Sequence, residues 1–133
     1  DRIMVRIATD ENLHMVFYRD VLTAALKLEP SAAVRAIVDE VLNFKMPGAG
    51  IPGFIRKAAQ IAKAGIYDLK VHRDEVLMPI LRHWKIFELG GLDATAEDAR
   101  RRLSEYLEKL DESIARFEER LATSTIPRMV IAK

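Results

Sequence analysis

One carboxylate and one imidazole carry most of the chemical interest of this chain. Glu11 and His14 stand three residues apart in a stretch, Asp1 to about Lys27, that holds neither Pro nor Gly and repeats its apolar residues at three- and four-residue steps. At about 100° per residue, Ile3, Met4, Ile7, Glu11, His14, Tyr18, Val21, Leu22 and Ala25 share one helical face. A carboxylate buried in such a face must be neutralised, paired or bound to a metal, because desolvating it alone is costly. A spacing of three sets the Glu oxygens and the imidazole nitrogens on adjacent turns, pointing the same way. This is the Glu-x-x-His geometry with which four-helix carboxylate bundles hold a pair of iron ions. The Glu can bridge both ions, while the His binds one and offers its second ring nitrogen to an outer acceptor. A buried Glu–His hydrogen-bonded pair with no metal satisfies the same spacing.

Other candidates offer less. His72-Arg73-Asp74-Glu75 has no ligand spacing that recurs elsewhere and reads as surface. His83-Trp84-Lys85 reads as packing beside a solvated Lys. The loop Met46 to Gly53 lacks the Lys-Ser/Thr ending and the preceding strand of a phosphate cradle. Met4, Met15, Met46, Met78 and Met129 read as gap-filling core residues rather than ligands. Nothing sets Ser, His and Asp as a nucleophilic triad.

The elements that must position Glu11 and His14 are helical, and strand alternation is scarce. Glu29-Pro30-Ser31 ends the first helix, since Pro disfavours helical geometry in the residue before it. A second helix, about Ala32 to Phe44, turns Val34, Ile37, Val38, Val41 and Leu42 to the core. After the Pro/Gly-rich loop, a short helix from about Phe54 to Ala64 closes on Gly65 as a left-handed cap. A fourth stretch, about Leu69 to Phe87, is kinked or split by Pro79. Gly90 to Ala94 is a turn, after which Thr95 caps a long helix with Asp98 as its capping-box partner. That helix runs to about Leu121 with a solvated face of alternating charge from Arg100 to Arg120. The tail from Thr123 to Lys133 is unassigned, and no internal repeat is visible.

Composition limits the rest. Half of the 133 residues are hydrophobic (50%) and 31% are charged, enough for a core and unlike a disordered chain. Lys plus Arg number 21 against 20 Asp plus Glu, so there is no basic field for nucleic acid. Zero Cys excludes disulfides, zinc ribbons, iron–sulfur ligation and thiol nucleophiles. No apolar run approaches the roughly 20 residues of a membrane span, and no secretory signal is visible. The chain lacks an initiator Met and starts as if inside a helix, so its true N-terminus is expected upstream.

Ile7-Ala8-Thr9-Asp10-Glu11-Asn12-Leu13-His14 resembles the second iron-binding helix of the soluble acyl-acyl-carrier-protein desaturases, the stearoyl-type family written I-A-x-D-E-x-x-H. Phe44-Lys45-Met46-Pro47 resembles that family's Met-Pro loop, Ala64-Gly65-Ile66-Tyr67 its Gly-Val-Tyr segment and Trp84-Lys85-Ile86 its Arg-Trp-Lys stretch. Phe117-Glu118-Glu119-Arg120 resembles its Leu-Glu-Glu-Arg. The likeness runs in order from about Arg2 to Arg120, and Asp68 to Phe87 is worded like the actinobacterial branch.

That resemblance implies an all-α, ferritin-like fold holding two Fe ions in a homodimer. It implies insertion of a cis double bond into a saturated acyl chain borne by acyl carrier protein, in fatty acid biosynthesis, with O2 and electrons from ferredoxin. Matched by position, Glu11 is a bridging carboxylate, His14 a terminal ligand and Asp10 an outer-shell acceptor for the other motif's His; no further catalytic residue is implied. The family's other Glu-x-x-His, its two lone Glu residues and its helix Thr lie upstream and have no match here. The chain is therefore expected to be the C-terminal part of one such domain. Its metal-binding helix would be about 1–28, packing helices about 31–121 and tail 122–133. Alone it is expected to bind iron weakly and not to desaturate. Arg56, Lys57, Lys63, Lys70, Arg73, Arg82 and Lys85 are cations of the kind an acidic carrier would meet. The branch implies a bacterial cytoplasm, or a plastid if a transit peptide preceded the chain. The alternatives are a non-catalytic helical interaction module, a different ferritin-like di-iron protein, and a bundle with a metal-free Glu–His pair.

Overall fold

The computed structural model describes residues 2–124, and all regular structure among them is helical. Helix α1 spans Arg2–Leu28 and α2 spans Pro30–Asn43. Pro30 opens the second helix, two residues before its expected start. Its missing N–H falls where no intrahelical partner exists, and the Glu29 carbonyl accepts from Ala33 N at 3.0 Å. Helix α3 is Phe54–Lys63 and α4 Leu69–Val71; a π-helical turn, His72–Leu77, leads into α5, Met78–His83. A 3-10 turn, Ile86–Glu88, precedes α6, Ala94–Ser124, which passes the expected end at Leu121. Pro127 and Met129 of the tail lie outside the described residues.

The chain forms two compact units. The first takes residues 2–43 and 79–103. Here α1 and α2 pack together, and Leu26, Val34, Ile37, Val38, Leu81, Ile86, Ala96, Ala99 and Leu103 are buried. Burying one such Leu, Ile or Val contributes about 1.5–3 kcal/mol. The cap of α6 is Asp93 rather than Thr95. Its Oδ1 accepts from Ala96 N at 2.8 Å and from the Thr95 hydroxyl at 2.7 Å, while Arg35 donates to Oδ2 at 2.8 Å. A carboxylate takes all three donors at once, which a hydroxyl cannot do; Asp98 pairs instead with Arg101.

The second unit takes residues 44–78 and 104–124. Gly65, at φ 67°, ends α3 in a Schellman motif: Ile66 N donates to Ile61 O at 3.2 Å and Gly65 N to Ala62 O at 3.0 Å. Asp68 caps α4 by accepting from Val71 N at 2.8 Å. The π turn closes with Met78 N donating to Arg73 O, five residues back. It stands directly before Pro79, which has no N–H for the Glu75 carbonyl, so the expected break takes the form of a widened turn. Leu77, Leu110 and Ile114 are buried here, and Arg73 bridges Asp74 and Asp111.

Two apolar expectations fail. Ile3, Met4, Ile7, Tyr18 and Val21 of the α1 stripe are exposed while its Leu22 and Ala25 are half-buried; the buried residue of α1 is Leu26, and Val5 and Leu13 elsewhere on the helix are exposed too. Periodicity selects residues for one face but does not provide what covers it. Met4, Met15 and Met46 are likewise exposed and Met78 half-buried, so none of them fills the core.

Candidate functional site

An unbroken helix through Glu11 and His14 sets the pair, and the His14 Nδ1 lies 3.8 Å from the Glu11 Oε2. That is too long for a hydrogen bond and short enough for both donors to reach one ion. The side chains are exposed, 66% for His14 and 74% for Glu11, and neither hydrogen-bonds to another group among the described residues. Asp10 is exposed on the same helix, about 100° around the axis from Glu11. The pair fits two places in a metal's coordination shell. Among the described residues no cluster of three His, Asp or Glu side chains exists to complete a centre. Around the pair, the exposed side chains of Ile7, Met15 and Tyr18 give it an apolar setting.

A second constellation escapes the sequence reading. His72, expected at the surface, is buried at 9% exposure, although Glu75 three residues on is exposed. The Tyr67 hydroxyl lies 2.8 Å from its Nδ1, and the Phe44 ring stacks on the imidazole at 5.2 Å and 15°. Burial pushes the His72 pKa below its ordinary value, and likewise raises that of Tyr67. Both groups line a cavity of about 440 Å³ within the second unit, walled mainly by Phe54, Ala58, Ala62 and Phe117. The signal available in the sequence is the pair of aromatics, Phe44 and Tyr67, that bracket the imidazole.

The cations divide. Lys70 is held by Asp74 at 2.7 Å and Arg73 by Asp74 and Asp111, so both already serve ion pairs. Arg56, Lys57, Lys63, Arg82 and Lys85 are exposed. No helix among the described residues is long and apolar enough to cross a membrane.

A family model described as fatty acid desaturase matches residues 1–131. DesA1 of Mycobacterium tuberculosis, which carries the name of an acyl-[acyl-carrier-protein] desaturase, is 42% identical over 118 residues, 89% of this chain and 35% of that protein. Acyl-[acyl-carrier-protein] desaturase 7 of Oryza sativa is 31% identical over 127 residues, 90% of this chain and 30% of its own. The chloroplastic stearoyl-[acyl-carrier-protein] 9-desaturase of Gossypium hirsutum is 28% identical over 121 residues, 86% of this chain and 29% of its own. The chain thus spans about a third of the length of these relatives. No solved structure matches it significantly. With the family match running almost end to end and including Glu11 and His14, the chain belongs to the fatty acid desaturase family.

Proposed function

We propose that this chain is the part of an acyl-[acyl-carrier-protein] desaturase that supplies half of a di-iron centre. Glu11 is the bridging carboxylate, His14 a terminal ligand, and Asp10 the acceptor for the ring N–H of a ligand His on the other half. One observation above others supports this reading: the donor atoms of Glu11 and His14 converge within 3.8 Å on adjacent turns of α1, with no hydrogen bond to another group among the described residues. When bound, the di-iron pair supplies O2 activation strong enough for hydrogen removal from an unactivated C–H. Two protein ligands leave the charge of two irons largely uncompensated, so the remaining carboxylates and the second Glu-x-x-His come from polypeptide beyond these residues. The exposed apolar flank of α1 is where those helices pack, in a ferritin-like bundle. Acyl carrier protein presents the saturated chain, a ferredoxin-type donor supplies electrons, and the assembled enzyme is a homodimer of the bacterial cytoplasm.

Iron analysis tests the reading. In a polypeptide that joins this chain to the rest of the relatives' length, Glu11→Ala or His14→Ala removes most of the iron and abolishes turnover of acyl carrier protein substrate. The 133-residue chain by itself holds iron weakly and does not desaturate. Stoichiometric di-iron with turnover in the short chain, or undiminished iron in both variants, overturns it.

A further inference from the structure

The cavity beside His72 has the makings of a ligand site that the metal pair does not use. Its volume, about 440 Å³, lies within the range of small-molecule pockets, and its walls are mostly aromatic rings and Ala side chains. Two polar groups meet at its surface. Tyr67 and His72 share one hydrogen bond of 2.8 Å, and the Nε2 of His72 bonds to no protein group among the described residues. Either tautomer of the neutral pair leaves one donor and one acceptor without a protein partner among the described residues, on two groups that line the cavity. If the Tyr67 hydroxyl donates to Nδ1, the Nε2–H and the phenol oxygen remain; if Nδ1–H donates, the phenol O–H and Nε2 remain. Asp68 also lines the cavity, with one oxygen accepting from Val71 N, and puts a negative charge beside it. A neutral head that both donates and accepts suits this pair; an anionic head meets the carboxylate.

We propose that the cavity of the second unit binds a neutral aliphatic molecule with a terminal hydroxyl, its chain against Phe54, Ala58 and Ala62 and its head on the Tyr67–His72 pair. Burial disfavours the charged form of both partners, in keeping with a neutral head. Neither Glu11 nor His14 lines the cavity, so its success or failure leaves the metal reading untouched.

Titration calorimetry of the full 133-residue chain with 1-octanol and with octanoate tests it, alongside the His72 imidazole 15N signals. Saturable binding of one 1-octanol per chain is expected, with a shift of the Nε2 signal and octanoate at least about tenfold weaker. Tyr67→Phe, nearly isosteric, weakens 1-octanol by about fivefold, the worth of one neutral hydrogen bond. Ala62→Phe, or Ala58→Leu if the first fails to fold, fills the cavity and abolishes saturation. Absent saturation in the parent chain, octanoate bound as tightly as 1-octanol, or unchanged binding in either the hydroxyl-deleting or the folded cavity-filling variant, overturns the proposal.

Discussion

The indole N–H of Trp84 donates to the main-chain carbonyl of Arg19 across 3.2 Å, a bond between residues 65 positions apart within the first unit. The same carbonyl also accepts from the Thr23 hydroxyl at 2.8 Å, so one backbone oxygen of α1 anchors two side chains. Trp84→Phe keeps most of the ring and deletes the donor. It is expected to cost about 1 kcal/mol in urea unfolding of the chain. A loss below about 0.3 kcal/mol means that solvent replaces the bond at no cost.

Glu11→Ala and His14→Ala are expected to change the stability of the 133-residue chain by less than about 0.5 kcal/mol, since both side chains stand mostly in solvent. Thermal melts of the chain with and without each change measure this. A loss of 2 kcal/mol or more would mark the pair as a structural element.

Leu103 has 0% exposure and Leu13 has 61%, though both are leucines on long helices. Leu103→Ala is expected to cost about 2–5 kcal/mol, whereas Leu13→Ala costs less than about 0.5 kcal/mol. Equal losses in denaturant titrations would place the core elsewhere.

Acid destabilises the chain in two windows. His72 has its pKa lowered by burial, so below about pH 6.5 the unfolded chain binds the proton more readily, and stability falls as pH drops through that range. Asp74 is held down to about 2 by hydrogen bonds from Arg73 and Lys70. Asp93 is lowered further by Thr95, the Ala96 N–H and Arg35. Their contributions are intact above about pH 4 and are lost as pH falls toward 2. His72→Gln is expected to remove the upper step and Asp93→Asn to shrink the lower one, read as melting temperature against pH.

Helix content was legible in the sequence because Pro and Gly punctuate it: Gly65 caps α3 as its position foretold, and Val34, Ile37 and Val38 of α2 are buried as their spacing required, while Val41 and Leu42 are half-buried. The spacing of Glu11 and His14 was equally readable, since it needs only an unbroken helix. Burial was harder to read. The α1 stripe has core periodicity yet stands exposed, because a pattern names a face and not its partner. His72 was misplaced for the opposite reason: its charged neighbours in sequence say nothing of the Phe44 and Tyr67 rings that enclose it. At α6, two cap formers two residues apart competed, and the carboxylate of Asp93, able to accept from Ala96 N, Thr95 and Arg35 together, took the cap.

The wide turn from His72 to Leu77 has one last consequence. Both of its end residues are buried, although five steps of a regular helix would put them about 140° apart around the axis. Closing the loop on the fifth residue instead of the fourth brings them nearly into line. Deleting a single residue there would restore an ordinary helical pitch and set the two four steps, about 40°, apart, so both would stay on the buried face and the widened turn serves to absorb one surplus amino acid.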